Sequence, residues 1–189
     1  EKINKNWIEK EDEFYFYLKE TIFETKFAND INKYAKAAWD NYFLRRRANV
    51  NKDTYRLGSI VDIVKQYKSG DRSLLPKKID IVTGGFPCQD FSVSGKRKGF
   101  DSHKDHNGQI IDGAIPTEET RGKLYIWMRE VIELTSPKMF IAENVKGLAN
   151  LGVVKKIIQS DFSTIDGDGY LVLTPRVLHA GYYGIPQSR

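Results

Sequence analysis

KIDIVTGG, Lys78–Gly85, is a short apolar run that ends in two glycines and passes directly into FPCQDFS, Phe86–Ser92, which holds the only cysteine of a 189-residue chain. β-Branched Ile79, Ile81 and Val82 bounded by glycine predict a strand that stops where the thiol loop begins. TKFAND (Thr25–Asp30) and KMFIAENV (Lys138–Val145) read as strands in the same way. Helical spacing fills the intervals. Ile31, Tyr34, Ala35, Ala38 and Tyr42 recur after the first strand, and Leu124, Trp127, Met128, Val131 and Leu134 mark one face of a helix that Pro137 stops. GVVKKIIQSDF (Gly152–Phe162) predicts another helix, and GYLVLTPRVL (Gly169–Leu178) a last strand or strand pair. Strands alternating with helices imply parallel pairing through right-handed crossovers, so the expected fold is α/β, a doubly wound and mostly parallel sheet.

In such sheets ligands bind just beyond the carboxyl ends of the strands. Asp30, Cys88 and Glu143 each follow the end of a predicted strand, which puts three reactive side chains on one rim. One cysteine leaves no internal disulfide and points to a reducing compartment. No apolar run approaches the roughly 18 residues of a membrane span, and the start lacks the pattern of a secretory signal, so a soluble cytoplasmic protein is expected. A net charge of +5 leans mildly toward a polyanionic partner.

A thiol becomes a nucleophile as its thiolate, and Lys96, Arg97 and Lys98 stand close by in sequence to favour that form. Glu143 follows the apolar run Met139–Ala142, where partial desolvation would suit it to hold or donate a proton. A thiol facing a protonatable carboxyl suits addition to an electron-poor double bond, such as that of a pyrimidine ring.

GGFPCQDFS followed by GKRKGF, TRGKLYIWMREVI, FIAENVKGL and YYGIPQSR, in that order, resembles the DNA cytosine-5 methyltransferases over Thr25–Arg189. The resemblance implies the S-adenosylmethionine-dependent, Rossmann-like version of the α/β fold. It makes Cys88 the nucleophile at C6 of a cytosine flipped out of duplex DNA, Glu143 the partner of N3 and the exocyclic amine, and Arg189 of the Gln-x-Arg block the third catalytic residue. S-adenosyl-L-methionine is the implied cofactor, with Asp30 on its ribose, Ile31 against the adenine, and Ser59, Ile60, Pro87 and Leu124 around it. Ser59 stands where the family's Gly-Asp-Ile block has aspartate. On the substrate and loop side the resemblance assigns Gln89, Ser92, Asn144 and Gln187, with Pro87 and Gln89 shaping the nucleophile loop, Asn144 helping to hold it, and Lys96, Arg97 and Lys98 on a basic lid that reaches phosphates.

No metal site is implied; His103 and His106 read as part of a surface insertion. The implied setting is a bacterial restriction–modification system with a cognate endonuclease and no obligate protein partner. A tRNA cytosine-5 methyltransferase and a catalytically impaired DNA-binding remnant are the alternative readings. Residues 1–24 contain no glycine where the family has a Phe-x-Gly-x-Gly cofactor loop, and NWIEKEDEFYFYLKETIF (Asn6–Phe23) reads as a helix with Trp7, Phe14, Tyr17 and Leu18 on one stripe. The expected organisation is an atypical helical segment over 1–24 and a partial catalytic domain over 25–189, with the target-recognition region outside the chain.

Overall fold

The computed structural model describes residues 5–13, 16–44, 50–86, 109, 123–167 and 169–183. They fall into two compact units, one of Thr25–Leu173 and one of Glu1–Glu24 with Thr174–Arg189.

In the smaller unit a 3₁₀ turn, Lys5–Trp7, leads into β1 (Ile8–Glu11), which pairs antiparallel with β2 (Phe16–Leu18). Lys10 lies opposite Tyr17, its Nζ 5.4 Å from the ring centroid, and the Tyr17 hydroxyl donates to Asp12 Oδ2 at 2.8 Å. The helix expected over this segment is therefore corrected to a hairpin. The spacing of Trp7 and Tyr17 suits a helix, but a run of consecutive aromatics favours a pleated backbone, and Trp7 is 64% exposed.

The larger unit begins with β3 (Ala28–Asp30), which pairs in parallel with β4 (Tyr55–Leu57); Asp30 lies opposite Leu57. Between them runs α1 (Lys33–Trp39), capped by the Asn32 side chain and continued by a π turn, Asp40–Leu44. After β4, Ser59 caps α2 (Ile60–Ser69), which ends at Gly70 with φ 131°, a left-handed conformation that glycine adopts without strain. The second parallel pair is β5 (Ile81–Gly85) with β6 (Met139–Glu143), in continuous register from Ile81 opposite Met139 to Gly85 opposite Glu143. Its crossover includes α3 (Tyr125–Thr135), which closes at Ser136 just before Pro137, as expected. The short α4 (Lys146–Ala149) and the longer α5 (Gly152–Ser163) follow.

The core is built on α3. One side carries Tyr125, Met128 and Ile132, which pack with Ile158 and Phe162 of α5, with Ile165, and with Val82 and Phe140 of the strand pair. The other carries Leu124 and Trp127 against Val61 and Val64 of α2. The single apolar face expected for α3 is thus two faces, with Met128 on the β5–β6 side. The polar residues of α3, Arg129, Glu130 and Glu133, keep to the remaining side. Lys68 of α2 pairs with Glu130 of α3 at the margin.

The strand expected within residues 169–178 is also corrected, since no strand forms there. Its alternation is real: Tyr170 and Val172 pack on the core while Leu171 and Leu173 are 89% and 75% exposed. A strand needs a ladder partner as well as an alternating pattern. Tyr170 is fixed instead by its hydroxyl, which donates to the Pro137 carbonyl at 2.6 Å. The fold is mixed α/β with two short parallel pairs, and no described helix is long and apolar enough to cross a membrane.

Candidate functional site

Each parallel pair presents its carboxyl end as a rim. At β3–β4 the rim is held by hydrogen bonds. Asn29 Nδ2 donates to the carbonyls of Arg56 and Gly58 at 2.8 and 2.9 Å, and Gly58 N donates to the Asp30 carbonyl at 3.1 Å. The exposed Asp30 carboxylate accepts from Asn32 N at 2.8 Å through Oδ1. Beside it Ile31 is 52% and Tyr34 73% exposed. Tyr55 at the base of β4 has its phenol pKa raised by burial first, then by the carboxylates of Asp30 and Asp40. Lys36 balances that acidity, 2.8 Å from Asp40 and 5.2 Å from the Tyr55 ring centroid.

Ser59 is buried, and its Oγ accepts from Val61 N at 3.2 Å as the cap of α2. Ile60 packs against the α2–α3 cluster, and Leu124 is buried within it. A hollow of about 550 Å³ lies at the β4–α2 turn, lined by Arg56, Gly58, Ser59, Asp62 and Gln66 among others but not by Asp30 or Ile31. The predicted cofactor residues therefore divide: Asp30 and Ile31 are displayed at the rim, while Ser59, Ile60 and Leu124 are engaged in holding α2 and α3. An exposed carboxylate with an exposed apolar side chain next to it suits a ribose diol and the face of a purine. These residues fit a nucleoside-bearing cofactor in chemistry.

At β5–β6 the rim is held mainly by packing. A Cβ on Gly84 would lie 3.0 Å from Met128 Sδ, and one on Gly85 3.4 Å from Glu143 Oε2, so both glycines permit close approach. Glu143 is exposed, which corrects the desolvation expected for it. Asn144 Nδ2 donates to the Phe86 carbonyl at 3.0 Å, while its Oδ1 accepts from Val145 N at 2.9 Å. The strand register and this amide bring the Glu-Asn block against the residue that leads into Pro87. Pro87, Cys88, Gln89, Ser92, Lys96, Arg97, Lys98, Gln187 and Arg189 lie outside the described residues.

Sequence reasoning missed Asn29, Met128 as a neighbour of Gly84, and Phe86 with Tyr125, whose rings meet edge to face at 6.1 Å. The paired glycines at a strand end signal close packing, but nothing local marks Asn29 or Tyr125.

A family model for C-5 cytosine-specific DNA methylases matches residues 13–111 and 113–189. Type II methyltransferase M.HpaII of Haemophilus parainfluenzae is 36% identical over 124 residues, 62% of this chain and 28% of that protein. Type II methyltransferase M.Eco47II of Escherichia coli is 35% identical over 111 residues, 59% and 22% of the two chains. The orphan methyltransferase M.SPRI of Bacillus phage SPR is 34% identical over 137 residues, 69% and 26%. The match spans about a quarter of the length of these curated relatives.

Proposed function

The chain belongs to the C-5 cytosine-specific DNA methylase family, and from that premise we propose that it carries the catalytic portion of an enzyme that methylates C5 of cytosine in duplex DNA. Cys88 adds as thiolate to C6 of a cytosine turned out of the stack, since neither ring carbon can be approached within it. Glu143 hydrogen-bonds N3 and the exocyclic amine, which stabilises the electron density that addition delivers to C5. Bound S-adenosyl-L-methionine would supply the methyl group to C5, its sulfur–methyl bond breaking to leave S-adenosylhomocysteine. Loss of the C5 proton and elimination of the Cys88 thiolate then restore the aromatic ring and the free enzyme. Arg189 and Gln187 act on the substrate side, as do Gln89 and Ser92, while Lys96, Arg97 and Lys98 contact phosphates.

Asp30 accepts from the ribose hydroxyls and Ile31 packs on the adenine; Ile60, Leu124 and Pro87 complete the wall, with Ser59 at its edge. The two parallel pairs are read as parts of one doubly wound sheet. Relatives named Type II support a bacterial restriction–modification setting, cytoplasmic, with a cognate endonuclease as partner.

The observation that carries the reading is the β5–β6 register. Gly85 lies opposite Glu143, and the next residue of each strand is joined by the Asn144–Phe86 hydrogen bond, so the carboxyl block and the thiol block start from one rim. The test is transfer of labelled methyl groups by the full-length protein to C5 in duplex DNA. Transfer to tRNA with none to duplex DNA would overturn it.

A further inference from the structure

Phe86 is the last residue before the Pro87–Cys88 loop, and it is gripped twice. Its carbonyl, the one joined to the Pro87 nitrogen, accepts from Asn144. Its ring meets the ring of Tyr125, in the first turn of α3. Tyr125 is 4% exposed, and a phenol so buried needs a polar partner. It has one in Asp161 of α5, whose Oδ2 accepts from the Tyr125 hydroxyl at 2.5 Å, a short bond of the charge-assisted kind. One turn along α3, Arg129 Nε donates to the Asp161 carbonyl at 3.1 Å, so residue 161 is held to the helix by both side chain and backbone. The Tyr125 ring is also 6.4 Å from that of Phe162, which sets its second face.

We propose that Tyr125, locked by Asp161, is a positioning residue for methyl transfer: it props the Phe86 ring while Asn144 holds the Phe86 carbonyl, and together they fix the backbone from which the nucleophile loop departs. The inference rests on the function proposed above. Packing alone does not call for tyrosine here, because phenylalanine offers the same edge to Phe86; the hydroxyl adds only the lock. That separates positioning from bulk.

The experiment uses full-length protein, S-adenosyl-L-methionine and duplex DNA bearing 5-fluorocytosine at the target base; once C5 has taken the methyl group it carries fluorine where a proton would leave, so the thiol cannot be eliminated and the adduct accumulates. Rates of covalent trapping are measured for wild type, Tyr125→Phe and Asp161→Asn at equal folded concentration, with DNA affinity and melting temperature alongside. Tyr125→Phe is expected to slow trapping by roughly ten- to a hundredfold, the loss typical of a reacting group displaced on the order of an ångström, with DNA affinity unchanged. Asp161→Asn, which keeps a hydrogen-bond acceptor, is expected to retain most of the rate. Tyr125→Phe that traps like wild type, with only a lower melting temperature, overturns the positioning role and leaves the proposed function standing. A folded wild type that never traps overturns the proposed function and this role with it. If Tyr125→Phe does not fold, Asp161→Ala removes the lock from the other side, and an unchanged trapping rate in it overturns the inference equally.

Discussion

The two parallel strand pairs of the larger unit present the same kind of edge and hold it by different means. At β3–β4 the Asn29 amide, the Gly58 N–H and the Asn32 cap tie backbone to backbone, and the side chains that face outward, Asp30 and Ile31, are left exposed. At β5–β6 the backbone is held by packing: Met128 fills the space next to Gly84, Phe140 stacks on Phe162 at 5.0 Å, and Tyr125 meets Phe86. A residue that binds by displaying a carboxylate needs its strand end fixed only locally. On the proposed function, the loop that delivers the nucleophile needs its origin fixed against the core, because a small displacement there acts directly on a reacting distance. α3 stands between the two, with Leu124 and Trp127 turned toward α2 and Met128 and Tyr125 toward the strands.

The contrast breaks most visibly in the chemistry. Cys88→Ser in the full-length enzyme is expected to lower methyl transfer by at least about a thousandfold, since a hydroxyl is far less ionised than a thiol, while DNA affinity, drawn mainly from phosphates, stays within about twofold. Glu143→Gln is expected to cost on the order of a hundredfold or more in turnover with the thiol in place. Turnover and filter binding measured together decide the matter: a Cys88→Ser protein with near-normal turnover removes the catalytic meaning of the β5–β6 rim.

Changes at the other rim should move affinity and leave the chemical step alone. Asp30→Ala is expected to weaken S-adenosylmethionine binding by about ten- to a hundredfold, the value of a charge-assisted hydrogen bond, with the single-turnover rate at saturating cofactor nearly unchanged. Calorimetric titration checks the first and rapid quench the second. An equal loss in both would mean that the rims are not functionally separate.

Much of this was legible beforehand. β3, β5 and β6 stand out as short apolar runs, α3 and α5 as periodic ones, and the rule that ligands bind beyond strand ends singles out Asp30, Cys88 and Glu143, while Asn144 is marked by the family resemblance. β4 has only three residues and gains its place from Asn29, a partner 27 residues away that no local pattern predicts. The aromatic cluster near the start satisfies helix and hairpin spacing alike, and residues 170–173 carry a strand pattern whose missing requirement, a neighbouring strand, is not a property of the segment itself. Ser59 and Leu124 stand at motif positions that suit ligand contact, and position in a motif does not reveal whether a side chain is already occupied by its own helix.

Packing at the β5–β6 rim can be tested by volume. Gly84→Val places methyl groups where Met128 Sδ already sits, and a destabilisation of about 1–3 kcal/mol is expected, the usual range for overpacking. Met128→Ala in the same chain should recover part of it, because the thioether arm is what obstructs the valine. A double-mutant cycle in chemical denaturation measures the coupling. Additive effects would show that Gly84 and Met128 do not constrain one another, and the packing account of this rim would lose its main support.

The smallest expected effect falls on Ser59, where helix capping and ligand contact compete for one hydroxyl. Its Oγ accepts from Val61 N, so Ser59→Ala should cost about 1 kcal/mol, the usual value of a lost cap, and lower the melting temperature by a few degrees. If capping is its main role, S-adenosylmethionine affinity in that variant should change by less than about twofold. Ser59→Asp keeps the cap, because aspartate accepts from the same N–H and its charge suits a helix N-terminus. Opposing this, Asp62 adds a like charge one turn away and Asp30 a second at the neighbouring strand end. Ser59 is also buried, so the new carboxylate loses hydration there, and Ser59→Asp should lower stability by about 1–2 kcal/mol despite keeping the cap. The aspartate also restores the charge-assisted acceptor usual in the Gly-Asp-Ile block, and cofactor binding should tighten several-fold. Melting temperature and titration on the two variants separate the roles: Ser59→Ala that loses cofactor tenfold at an unchanged melting temperature would assign the hydroxyl to the ligand, and the β3–β4 rim would then be held in place partly by what it binds.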